Sequence, residues 1–134
     1  MTTAWLDANV ILRFLTKRPP ALAERARRLM EQAEAGRVRF RIRTVIVAEV
    51  VCVLGSKSYG YDAARIADAV GGFLRLEGVA ADEPDLLLSA LQTMADRNVP
   101  FVDAYLAASA AQSGEPVCTF DDEDFKRLDV PLFF

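Results

Sequence analysis

Short apolar segments alternate along this chain with stretches of helical periodicity, and that alternation leaves few folds open. Ala4-Trp5-Leu6 reads as a short buried strand, Asp7-Ala8-Asn9 as a polar turn, and Val10 to Leu15 as the start of a helix. Pro19-Pro20 then interrupts the chain, after which Leu22, Ala26, Leu29, Met30 and Ala33 form one helical stripe within Ala21 to Ala35, stopped by Gly36. Val38, Phe40 and Ile42 alternate with Arg37, Arg39, Arg41 and Arg43, the two-residue period of a half-exposed strand. Thr44 to Gly55 stays open between two states. Its β-branched residues favour strand, whereas Thr44 as a cap and Gly55 as a terminator favour helix.

Beyond a loop at Lys57 to Tyr61, Asp62 caps a helix predicted to run to about Leu76, weakened by Gly71-Gly72, and Gly78-Val79-Ala80 is a short strand. Asp82, Glu83 and Pro84 open a helix over Leu86 to Ala95. Val102 to Ala111 is a helix rich in small residues, ended by Gly114. Pro116 to Phe120 is expected as a buried strand, Asp121-Asp122 as the lead into a short helix, and Val130 to Phe134 as a last strand. Strands alternating with helices imply an α/β fold with a mostly parallel sheet covered on both faces. At 134 residues, with neither repeat nor linker, the chain is expected to be one domain over residues 1–134.

Composition narrows the chemistry. The chain contains 0 histidines, which excludes Ser-His-Asp triads, histidine general bases and histidine zinc sites. The beginning Met1 to Asp7 lacks the basic and apolar regions of a secretory signal, and the longest apolar run, Val45 to Leu54, carries Glu49, so a cytoplasmic protein is expected. Cys52 and Cys118, in apolar runs without CxxC spacing, are expected as buried small hydrophobes. The formal net charge of -3 conceals an asymmetry. Arg13, Lys17, Arg18, Arg25, Arg27, Arg28, Arg37, Arg39, Arg41 and Arg43 crowd the first third. They suit either a polyanion or acidic partner, or an ordinary solvated helix and edge strand.

Four acids interrupt apolar runs: Asp7 after Trp5-Leu6, Glu49 between Val47-Ala48 and Val50-Val51, Asp103 between Phe101-Val102 and Ala104-Tyr105-Leu106, and Asp121 after Val117 to Phe120. Carboxylates near a core need compensation. Asp7 and Asp121 end predicted strands and Asp103 opens a helix, the positions where α/β folds gather ligand sites. Singly, each is also what a turn or cap would use. With oxygen ligands alone, a shared site would take Mg²⁺ or Mn²⁺ in preference to zinc, activating water and stabilising charge on a phosphodiester.

Together these residues resemble the PIN-domain ribonucleases, and within them the VapC-like toxins of toxin–antitoxin pairs. Leu6-Asp7-Ala8-Asn9-Val10-Ile11-Leu12 is similar to the opening D-x-N motif, and Val47-Ala48-Glu49-Val50 to the helix bearing the family glutamate. Phe101 to Ala107 resembles the third motif, and Thr119-Phe120-Asp121 with Asp124-Phe125 the fourth. The resemblance implies a three-layer PIN-like fold with about five mostly parallel strands, helices on both faces, and Thr44 to Leu54 as helix. It assigns Asp7, Glu49, Asp103 and Asp121 to an acidic metal pocket, with Asn9 and Thr119 supporting it. Asp122 and Asp124 compete with Asp121 for the last place. In the implied mechanism Asp7 and Asp103 hold the principal Mg²⁺, Glu49 and Asp121 orient a water or a second ion, and the substrate is RNA. A homodimer and an inhibiting antitoxin protein are implied as well. Two other readings use the same residues: a receiver- or haloacid-dehalogenase-like phosphotransfer domain, for which Lys126 is the only late lysine, and a catalytically inactive RNA- or partner-binding module.

Overall fold

Three parallel strands, β1 (Thr2–Trp5), β2 (Val38–Ile42) and β3 (Val79–Ala81), lie side by side in the order β1-β2-β3, with Trp5 opposite Arg41 and Phe40 opposite Val79. A computed structural model describes residues 1–133. Parallel neighbours need long crossovers, and helices supply them: α1 (Ala8–Thr16) and α2 (Pro20–Glu34) between β1 and β2, α3 (Thr44–Leu54) and α4 (Ala63–Leu74) between β2 and β3. The chain forms two compact units, the first spanning Met1–Pro84 and the second beginning at Asp85.

In the first unit β2 buries Val38, Phe40 and Ile42 and exposes Arg39 and Arg41, so its two faces differ, contrary to a sheet covered on both sides. The undecided segment is helix α3. Val47, Val50, Val51 and Leu54 fall at i, i+3, i+4 and i+7 and are all buried, and that stripe outweighs the strand preference of its β-branched residues. Arg43, not Thr44, is the cap residue, and the Thr44 hydroxyl instead donates to Glu83 at 2.8 Å. Asp62 caps α4, its carboxylate accepting from the Arg65 amide at 2.8 Å, and the helix stops at Leu74. Gly78, at φ +84, lies so close to α2 that an added Cβ would fall 2.7 Å from Ala33; only glycine lets β3 start there.

The second unit carries α5 (Pro84–Arg97), α6 (Phe101–Ser113) and α7 (Asp122–Arg127). Ala107, Ala110, Val117 and Phe125 form a small core, with Leu128, Val130 and Leu132 packed on it. About five strands were expected, but the described residues form three, plus one isolated parallel bridge between Val117 and Leu132. The bridge is held by the Val117 amide donating to Pro131 and the Phe133 amide donating to Val117, each at 2.9 Å. Pro116 and Pro131 flank it and carry no amide hydrogen, so pairing does not extend. Of the expected buried strand Pro116 to Phe120 only Val117 is buried, and Phe120 is fully exposed. Phe134, the end of the other expected strand, lies outside the described residues. Cys52 and Cys118 are exposed thiols, not core residues, because each falls off the buried stripe of its segment. Among the described residues no helix is long and apolar enough to cross a membrane.

Candidate metal centre

Three of the singled-out acids meet in the second unit. Asp103 stands in the first turn of α6, where Phe101, Ala104 and Ala107 are buried and the aspartate is left half-buried at the helix edge. Asp121 occupies the cap position of α7, yet its carboxylate makes no capping bond. Asp124 follows one turn later, next to Phe125, which is 3% exposed and anchors the short helix to the small core. One carboxylate oxygen from each of Asp103, Asp121 and Asp124 lies within 4.8 Å of the others.

The electrostatics of Asp103 follow from this crowding. Partial burial, then a hydrogen bond with Asp124, then the charges of Asp124 and Asp121 all push its carboxyl above the usual carboxylate range. Position on a helix N-terminus favours the anion, but burial and two acidic neighbours outweigh it. Several supports hold the geometry. The Thr119 hydroxyl accepts from the Asp121 amide at 3.0 Å, fixing the turn that presents Asp121. Arg127 donates to the Arg97 carbonyl at 2.5 Å, and Arg97 donates to the Arg127 carbonyl at 3.0 Å, a reciprocal clasp between the ends of α5 and α7. Asp122 turns away and pairs with Lys126 at 3.0 Å. Sequence reasoning set Asp121 and Asp124 as competitors, whereas both belong to the cluster. The i, i+3 spacing from the cap was the available signal. The Arg97–Arg127 clasp had none.

Asp7 and Glu49 belong to the first unit. Asp7 caps α1, its carboxylate accepting from the Ala8 amide at 2.8 Å, and Asn9 follows on the exposed side of the same turn. Glu49 is in mid-helix on α3 but exposed, because the helical period turns it away from the stripe of buried valines. The expectation that these acids intrude on the core is therefore corrected: among the described residues no charged side chain is buried.

The cluster suits a divalent cation. Its donors are carboxylate oxygens alone, the hard ligands such ions take, and a cation would offset the partial burial and the acidic neighbours that raise Asp103. A family model described as PIN domain matches residues 4–131. The chain belongs to the PIN domain family. A PIN domain generally carries metal-dependent nuclease activity, and in this PIN domain the matched span covers both units and all the acids described above. No curated protein matches the sequence.

Proposed function

We propose that this PIN domain is a Mg²⁺- or Mn²⁺-dependent endoribonuclease, the toxin of a toxin–antitoxin pair, working in the cytoplasm as a homodimer restrained by its antitoxin, with residues 1–134 as one catalytic domain. The observation that carries the nuclease reading is the convergence of Asp103, Asp121 and Asp124 within 4.8 Å in a chain of this family. Those three residues hold the ion. Bound there, a divalent ion lowers the pKa of water and stabilises charge building on a phosphodiester. Asp7 and Glu49 are the further carboxylates that the resemblance to PIN-domain ribonucleases assigns to holding the metal and orienting water. Asn9, in the same turn as Asp7, is the supporting residue that the resemblance assigns there, and Thr119 holds the Asp121 loop. Asp122, tied to Lys126, supports α7 and does not ligate.

The test is cleavage of total cellular RNA by antitoxin-free protein with Mg²⁺ or Mn²⁺, with EDTA and Asp103→Ala as controls. Discrete fragments that vanish in both controls are expected, and end-mapping then gives the substrate. Metal binding without cleavage of any RNA pool would overturn the reading in favour of a binding module or a phosphotransfer domain.

A further inference from the structure

We propose that Trp5, Arg41 and Arg43, with Arg39 beside them on the exposed face of β2, form a platform that holds the backbone and a base of single-stranded RNA. The proposal rests on the ribonuclease reading for its choice of polyanion. Register places Trp5 opposite Arg41. The Arg41 guanidinium lies 4.2 Å and the Arg43 guanidinium 4.4 Å from the indole centroid. A guanidinium stacked on an aromatic ring spends its flat face there and keeps its in-plane N–H groups for a phosphate, which it can meet bidentately. Trp5 remains 51% exposed and the Arg43 side chain 60% exposed, with one Arg43 N–H given to Asp82 at 3.0 Å. Arg39 and Arg41 have no carboxylate partner among the described residues.

Contrast with the neighbouring helix sets this group apart. On α2, Arg27 and Arg28 are engaged by Glu24 and Glu31, so their charge is already partly met by carboxylates. An acidic peptide would need the positive charge but has no use for an indole, whereas cations interleaved with an aromatic face match single-stranded nucleic acid.

The chain has 1 tryptophan and 3 tyrosines, so fluorescence excited at the red edge, where only the indole absorbs, reports on this platform alone. The full-length protein is titrated in EDTA, where no cleavage occurs, with a mixed-sequence 12-nucleotide single-stranded RNA, and separately with DNA of the same sequence and with polyglutamate. Saturable quenching by RNA is expected, with little by polyglutamate. The Arg41→Ala, Arg43→Ala double variant, its fold checked by circular dichroism, binds labelled RNA at least tenfold more weakly, and its salt slope falls by about 1.4 for two lost phosphate contacts. Arg41→Lys, which keeps the charge but not the planar stack, falls between. Equal quenching by DNA supports recognition through phosphate and base, and weaker quenching supports a share for the 2′-hydroxyl. RNA binding that leaves Trp5 fluorescence and the double variant's salt slope unchanged overturns the proposal, as does polyglutamate quenching as strong as that by RNA. Quenching without cleavage when metal is restored sinks the nuclease reading alone, and cleavage unaffected in the double variant sinks the platform alone.

Discussion

The two units treat charge in opposite ways. The second gathers Asp103, Asp121 and Asp124, with Arg127 reaching Asp124 at 4.0 Å from the edge, and leaves Asp103 raised by partial burial and by its acidic neighbours. The first spreads arginines over a strand face and stacks two of them on Trp5. Other charges are paired: Arg27 with Glu24 and Glu31, and Lys126 with Asp122. Pairing marks charges that the fold has already satisfied. Charges held among their own sign, or against a ring, carry an unspent demand for a ligand, a cation in one unit and a polyanion in the other.

The sharpest way to break that contrast is to compare adjacent aspartates. Asp103→Ala removes a member of the cluster, and cleavage should fall at least about a thousandfold, since groups that act as a unit lose most of their effect when one is removed and even outer partners of a metal site are worth 10–100-fold. Asp122→Ala removes only the partner of Lys126 and should change cleavage by less than about threefold. Initial rates on a mapped RNA fragment measure both. Equal losses in the two variants would mean that general acidity, not the cluster, carries the activity.

Next in size is Phe125→Ala. Phe125 is the one large side chain in the small core beneath α7, and its loss should cost about 3 kcal/mol in denaturant unfolding, the lower end for such a truncation. Because Asp124 stands beside it, metal affinity measured by calorimetry should fall as well. Phe125→Leu should recover most of both. A variant that loses stability but binds the ion normally would show that α7 does not need this anchor to present Asp124.

Much of the first unit was legible in the sequence, and the reasons are local. The alternation of Val38, Phe40 and Ile42 with arginines is a pattern of period two that only a half-exposed strand satisfies, and Asp62 ahead of Ala63–Leu74 is a cap with its hydrogen bond. The segment Thr44–Leu54 resisted because side-chain propensity and burial period disagreed there, and burial decided. In the second unit, the strand expected at Pro116 to Phe120 failed because an apolar run says nothing about whether a partner strand can donate past Pro116 and Pro131. Asp103 and Asp121 stand out in the sequence as acids interrupting apolar runs, and they meet in the cluster although neither is buried in the core. That Asp124 joins Asp121 and does not replace it had only the i, i+3 spacing as a signal, because the meeting itself depends on how a six-residue helix sits on Phe125.

A smaller effect separates the cost of the cluster from its use. Asp103 has a raised pKa in the folded chain, so the folded state binds more protons than the unfolded one between the two values, and stability falls as pH rises through that window. At neutral pH the ionised group therefore destabilises the metal-free protein. Asp103→Asn should raise its Tm at pH 7 by a degree or two on the order expected of a sub-kcal change, and the gain should shrink as the medium is acidified. Saturating Mg²⁺ or Mn²⁺ should stabilise the natural protein and leave Asp103→Asn unmoved. A lower Tm for Asp103→Asn without metal would mean that the carboxylate is structural.

The smallest effect expected is at the paired arginines of α2, and it is informative because it is small. Arg27 sits 2.6 Å from Glu24, whose carboxyl it holds at about 2, below its ordinary value of 4.5. An acid depressed in this way adds stability that is present above its unfolded value and is lost as pH falls towards about 2. Both side chains are about half exposed, so water and salt screen the pair and little of that shift survives as stability. Arg27→Ala should leave Tm unresolved from the parent at pH 7 in 0.15 M salt, lower it slightly at low ionic strength, and leave RNA affinity within about twofold, because the charge of a guanidinium engaged by two glutamates is already offset. Arg41→Ala, by contrast, should weaken RNA binding several-fold with no loss of an ion pair to account for it. If Arg27→Ala weakened RNA binding as much as Arg41→Ala, the arginine-rich third would be acting as a diffuse positive field, and the stack on Trp5 would be a surface packing feature of β1 and β2.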